Sequence, residues 1–167
     1  HPNLRRIVKL TGHKPISLDW WDSKEINGVK VSAVPSYHLS FRPPFHYSRD
    51  YQGYIIETEK TLYHAGDCGM RDYFFREIRK RFKIDVAFLT IGAYYPFRKH
   101  HMSPEDALNA MAMIMGTSGL FIPIHWGTYK VSSEPIDEPP KRLEQYARQN
   151  GMESRYRLLQ PGKSIDL

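Results

Sequence analysis

Three side chains able to hold a metal ion stand directly after short apolar runs of this sequence. They are His38 in Val-Pro-Ser-Tyr-His, Asp67 in His-Ala-Gly-Asp and His125 in Ile-Pro-Ile-His-Trp-Gly. Residues at strand ends project into the loops above a sheet, where open α/β folds hold their ligands. Three such ends can converge. Two imidazoles and a carboxylate suit zinc or another divalent first-row metal, and the two oxygens of an aspartate can bridge a metal pair. Each residue also has a plainer reading. A histidine at a strand end is more often a satisfied structural side chain, and Asp67 lies in a Gly-Asp-Cys-Gly turn of the kind tight turns select anyway. Spacing alone reaches a candidate metal site and stops there.

The elements that must position these residues follow from periodicity and turn chemistry. Residues 7–10 and 16–21 read as two short strands, and Asn27-Gly28 marks a hairpin over 24–34 that Pro35 ends. The stretch 38–50, with Pro43 and Pro44 among rings, reads as a structured loop. Strands are expected at 51–58 and 61–65, joined at Glu59-Lys60. Phe74, Ile78 and Phe82 recur every four residues and predict an amphipathic helix. The apolar runs 84–91 and 119–124 read as buried strands. Between them Ser103-Pro104-Glu105-Asp106 opens a helix to about Met115, with a capping serine, a first-turn proline and two acids. A helix over 141–150 closes at Gly151, and 155–159 with 164–167 resembles a final hairpin. Hairpins first and strand-helix-strand units later make the class α/β.

The chain of 167 residues fits one domain, and 25% charged with 41% hydrophobic residues is a globular balance rather than a disordered or coiled-coil one. Its one cysteine, Cys68, cannot form an internal disulfide, which favours a reducing, intracellular compartment. No apolar run approaches the ~18 residues of a membrane span. The net charge of +6 arises in the first 83 residues, which hold 15 Lys and Arg against 9 Asp and Glu, while residues 84–167 balance at 9 and 9. The excess concentrates in Arg71, Arg76, Arg79, Lys80, Arg81 and Lys83, with Arg5, Arg6 and Lys9 as a smaller group. A solvated helix face is the plain explanation; nucleic acid or anionic lipid is the sharper one. Trp20 and Trp21 read as packing residues, His64 as a strand side chain, and Met111, Met113 and Met115 as gap fillers. His13, His46 and His100 have no motif context.

From residue 16 to 162 the chain resembles the second half of a metallo-β-lactamase superfamily enzyme, specifically the N-acylphosphatidylethanolamine phospholipase D-like branch. The resemblance rests on Leu18-Asp19-Trp20-Trp21, Pro35-Ser36-Tyr37-His38 with Ser40 and Arg42, Ala65-Gly66-Asp67 and Ile91-Gly92-Ala93-Tyr94. It continues through His101-Met102-Ser103-Pro104-Glu105-Asp106-Ala107, His125-Trp126-Gly127-Thr128 and Glu138-Pro139-Pro140. It implies the second half of a four-layer αββα sandwich, a mixed sheet with helices on its outer face. It further implies that His38 completes one zinc site, Asp67 bridges two zincs and His125 completes the second. His101 would sit near the leaving group, to position or protonate it. The implied reaction is hydrolysis of a phosphodiester or ester, possibly in a phospholipid, by a hydroxide that the two zincs activate.

Two departures bear on that reading. Cys68 follows the aspartate where the family has threonine, close enough to the metals to tune or poison them. The motif His-x-His-x-Asp-His, source of further ligands to both zincs, has no counterpart in these residues. The expectation is a single partial domain, 1–167, that begins at His1 in mid-fold. Its partner is the N-terminal half of the same fold or a second chain, and alone it would bind zinc weakly, be inactive and self-associate. The alternatives are a degenerate relative that scaffolds without catalysis and a nucleic-acid module built on the basic helix, with nucleic acid the weaker option. Peripheral contact with anionic membrane and a cytoplasmic or membrane-peripheral location fit a lipid phosphodiester substrate.

Overall fold

The structure is a computed structural model that describes residues 8–39, 51–160 and 162–167. Ser40, Arg42, Pro43, Pro44, His46 and the Arg5-Arg6 pair lie outside the described residues, and with them most of the expected loop. Among the described residues six strands form one mixed sheet in chain order: β1 (Ser23–Ile26), β2 (Val29–Pro35), β3 (Gln52–Glu57), β4 (Thr61–His64), β5 (Val86–Thr90) and β6 (Leu120–Ile124). The first four pair antiparallel and the last three parallel. Helices α1 (Asp72–Arg81), α2 (Pro104–Met115) and α3 (Glu138–Gln149) complete the fold. No helix among the described residues is long and apolar enough to cross a membrane.

Strand alternation decides which side is covered. Val34, Ile55, Tyr63, Leu89 and Phe121 share one buried cluster with Phe75 and Ile78 of α1, Leu108 and Met111 of α2, and Leu143 of α3. The helices therefore lie on one face, as expected. On the other face Tyr54 and His64 are exposed, while Ile56, Leu62 and Phe88 are half-buried.

Local chemistry explains the ends of α2 and α3. Ser103 and Asp106 form a reciprocal capping box, with Asp106 N–H donating to Ser103 Oγ at 3.3 Å and Ser103 N–H to Asp106 Oδ2 at 3.2 Å. Arg98 adds two bonds to the same carboxylate, at 2.9 and 3.0 Å. Burial alone would raise the Asp106 pKa, but the hydrogen bonds from Arg98 and Ser103 outweigh it and hold the carboxyl below its usual value. Asp106→Asn is expected to cost about 1–2 kcal/mol at pH 7. A depressed folded-state pKa contributes stability above the unfolded value of about 4 that is lost as pH falls through the folded one, so the deficit should shrink by pH 3. Urea melts at both pH values check this; an equal deficit at both would sink it.

The C-terminal end of α2 carries no basic residue of its own, and cations arrive from elsewhere. Arg155 donates to the carbonyls of Gly116 and Ser118 at 3.1 and 2.7 Å, and Arg79 to that of Met113 at 3.4 Å. Lys80 and Arg81 both pair with Glu77, and Arg81 also lies over the Trp21 ring at 4.2 Å. Much of the basic cluster is thus engaged in local contacts; Arg76 and Lys83 stay exposed. In α3 the Pro139-Pro140 pair occupies the first turn, where a missing N–H costs nothing, so the helix starts at Glu138 rather than 141. It ends in a Schellman arrangement: Gly151 has φ +63°, and Met152 N–H donates to Ala147 O at 2.8 Å.

Four expectations need correction. Val8, Lys9 and Leu10 are helical, not a strand. Residues 16–21 form no strand, because Asp19 and Asp22 close a turn on each other: Asp22 N–H donates to Asp19 O at 3.0 Å and Asp19 N–H to Asp22 Oδ2 at 3.1 Å. The buried stripe of α1 runs through Phe75 and Ile78, while Phe74 turns to meet Trp20 edge-on at 5.5 Å. The final hairpin is absent: Glu153–Arg155 is a 3-10 turn, and Tyr156 makes one parallel bridge to Phe121 of β6 instead.

Candidate metal centre

Since β2 and β4 run in the same direction and β4, β5 and β6 are parallel, the C-terminal ends of β2, β4 and β6 share one rim. His38, Asp67 and His125 sit just beyond those ends. Ser36 is fully buried, and its hydroxyl donates to the carbonyls of Ala65 and Asp67 at 3.0 and 3.2 Å, which ties the segment before His38 to the turn carrying Asp67. Gly66 makes that turn with φ +63°. His125 takes the same left-handed region at φ +62°, an uncommon conformation for a residue with a side chain.

The side chains converge. Asp67 turns its two oxygens to different rings: Oδ2 lies 3.9 Å from His38 Nε2 and Oδ1 lies 3.6 Å from His125 Nε2. His101 joins them from the loop before α2, with Nε2 3.1 Å from His38 Nε2 and its ring centroid 5.1 Å from that of His125. Burial pushes the His101 pKa down to about 4, helped by the neighbouring His38 and His125 imidazoles. Burial lowers His38 also, against the pull of Asp67. Both rings are therefore neutral at pH 7, the protonation state in which an imidazole nitrogen can ligate a metal. His101 Nδ1 is buried with no hydrogen-bond partner.

Two donors about 2.1 Å from a tetrahedral zinc stand ~3.4 Å apart. The Asp67–His125 and Asp67–His38 separations lie just above that figure, each with its own carboxylate oxygen, which is the arrangement a carboxylate needs to face two ions. Among the described residues no group of three or more His, Cys, Asp or Glu side chains closes around a single ion. The donor set fits a divalent metal in chemistry and pairing, with further ligands still to be supplied.

Residues that sequence motifs did not single out support the rim. His100 stacks on Tyr37 at 5.4 Å with planes 16° apart, and the Arg71 guanidinium covers Tyr37 at 3.5 Å. These two contacts hold the residue next to His38. Cys68 is 1% exposed, part of the main core, and its thiol donates to Gly69 O at 3.2 Å. Burial raises its pKa, and its carbonyl accepts from Met102 N–H at 3.0 Å, anchoring the residue after His101. The thiol belongs to the core cluster beneath the turn that carries Asp67. His64 is a strand side chain, as expected, and accepts from Gly66 N–H at 3.0 Å.

Comparison with known proteins bears on the family and the fold. The chain is 30% identical over 131 residues to an uncharacterized protein of Mycobacterium bovis, covering 77% of this chain and 35% of that one. It is 28% identical over 168 residues to the mitochondrial N-acyl-phosphatidylethanolamine-hydrolyzing phospholipase D of Saccharomyces cerevisiae, covering 89% and 34%. With a metal-dependent hydrolase of Pelotomaculum thermopropionicum it shares 30% identity over 151 residues, covering 87% and 60%. The chain thus spans about a third of the first two relatives. Among solved structures it superimposes on an isothiocyanate hydrolase from Delia radicum gut bacteria with TM-score 0.73 at 16% identity, covering all of this chain and 65% of that one. A metallo-beta-lactamase fold protein from Bacillus subtilis gives TM-score 0.63 at 13% identity, covering 95% and 59%. The model of the beta-lactamase superfamily domain matches residues 2–126, and with the mixed sheet, its one-sided helices and the shared rim this places the chain in the beta-lactamase superfamily.

Proposed function

We propose that this chain is part of a metal-dependent hydrolase of phosphodiester or ester bonds, close to the N-acylphosphatidylethanolamine phospholipase D-like branch, in which His38, Asp67 and His125 hold a zinc pair. The observation that carries this reading is the divergence of the Asp67 oxygens, one toward each imidazole at 3.9 and 3.6 Å. Bound there, zinc would supply Lewis acidity and lower the pKa of water toward neutrality. The chain's own residues do the positioning. Ser36 holds the Asp67 turn, Tyr37 and its stack hold His38, and His101, neutral at pH 7, reaches the same space with a nitrogen that can orient or accept a proton.

The domain is proposed to be the C-terminal half of an αββα sandwich. Tyr54, Ile56, Leu62 and Phe88 on the helix-free face support it, because an apolar sheet face of this kind is normally covered. The N-terminal half of the same fold is the partner that would cover it and bring the His-x-His-x-Asp-His ligands; the isolated chain would then bind zinc weakly and be inactive. A substrate presented at an anionic membrane fits the exposed Arg76 and Lys83.

The test is chelator treatment and zinc titration of the full-length protein with bis(p-nitrophenyl) phosphate and a phospholipid phosphodiester. Hydrolysis should vanish with chelator and return with two zinc ions per chain, and His38→Ala and His125→Ala should each lower it at least ~100-fold. Turnover that persists without metal, or that both variants retain, would overturn the reading.

A further inference from the structure

A groove of about 270 Å³ opens directly beside His125, between the Gly92-Ala93 turn and the loop from Trp126 to Ile136. Its wall is mostly apolar: Trp126, Val131, Ile136 and Pro139 line it, and Val131 and Ile136 leave 59% and 43% of their surface exposed. The loop is held in place rather than draped. Glu134 is buried, its Oε1 accepts from Tyr94 N–H and its Oε2 from Tyr95 N–H, both at 3.2 Å, and Ser133 N–H donates to Tyr95 O at 3.0 Å. At the other end Trp126 Nε1–H donates to Pro123 O at 3.1 Å. Both Glu134 oxygens are occupied by backbone donors, so the acid on the wall is already matched; Thr128, Lys130 and Ser132 add polar atoms to the lining, and most of the surface left for a ligand is hydrocarbon.

We infer that this groove is the subsite for an uncharged hydrocarbon group of the substrate, a single short acyl chain or aromatic ring attached next to the bond that is cleaved at His125. The inference rests on the hydrolase reading and goes beyond it by naming what flanks the scissile centre. Size sets the class. The groove exceeds the ~150 Å³ that admits benzene and falls just under the ~300 Å³ at which drug-sized pockets begin, so the part of it that this domain forms takes one ring or a short chain.

The experiment compares p-nitrophenyl acetate, butyrate and hexanoate as substrates of the full-length zinc-loaded protein. In parallel, acetate, butyrate and hexanoate are titrated calorimetrically, which needs no turnover. Both kcat/KM and affinity should rise about three- to fourfold per methylene until the groove is full. Ile136→Trp, a surface change that fills the groove, should flatten both series, and a thermal melt identifies any loss of fold. Val131→Asp should flatten them by another route, through a charge on the wall. Acetate turnover with no chain-length dependence in either readout would overturn the subsite and leave the hydrolase reading standing. Chain-length-dependent affinity with no turnover of any ester would support the subsite and count against the ester half of that reading.

Discussion

Asp67→Asn is expected to lower kcat/KM of the full-length protein by at least about 10³, some 4 kcal/mol of transition-state stabilisation, and zinc affinity at least ~100-fold. The substitution keeps shape and removes charge. It replaces one of two oxygens, each of which faces a different imidazole, by an amide nitrogen that cannot donate an electron pair to a metal. The fold should survive it, because Ser36 grips the backbone carbonyls of Ala65 and Asp67 and not the carboxylate, whose side chain is half exposed. Metal-free Asp67→Asn should therefore melt within ~2 °C of the metal-free parent, an interval of about 0.5–1 kcal/mol. Zinc content after dialysis, read beside the melt, separates the two effects. A variant that keeps stoichiometric zinc and full turnover would remove the carboxylate from the centre altogether.

The parts of the structure legible in the sequence were those specified by local chemistry. Asn27-Gly28 names its hairpin because a type I′ turn needs two positive φ angles, and both residues adopt them. Ser103-Pro104-Glu105-Asp106 names its helix because cap, proline and acid act within four residues. His38, Asp67 and His125 could be singled out because each follows an apolar run, and the rim they share follows from the sheet order. Contacts made across the chain were not legible. His100 has no motif around it, yet it stacks on a ring 63 residues away in sequence that the Arg71 guanidinium also covers. Trp21 reads as part of a strand until Asp19 and Asp22 are seen closing a turn, a competition that periodicity cannot weigh. Glu134 stands in none of the motifs, and only the loop it anchors shows why it is buried.

Gly92 is the clearest residue of that second kind, and Gly92→Ala is expected to have the second-largest effect. Its backbone lies outside the left-handed region, so alanine could adopt the conformation; what forbids it is space. A Cβ there would overlap the carbonyl oxygen and carbon of His125, which are main-chain atoms and cannot swing aside. The peptide before it is already held by Ile91 N–H donating to Ile124 O at 3.0 Å, and His125 itself has a φ of +62°. Accommodating the methyl must therefore move His125 or part β5 from β6, at about 1–3 kcal/mol of stability. Metal affinity should fall at least tenfold, since a ligand displaced by a few tenths of an ångström leaves its coordination distance. Gly69→Ala supplies the contrast. Its Cβ would overlap the Lys99 carbonyl, shifting the segment that carries His101. It should lower kcat more than it lowers zinc affinity, because the clash falls on the segment before His101 and does not touch His125. Zinc titration and turnover measured on both variants distinguish a residue that holds metal from one that serves the reaction. Equal losses of zinc in the two would mean that His101 belongs to the ligand set, and full retention of zinc in Gly92→Ala would take His125 out of it.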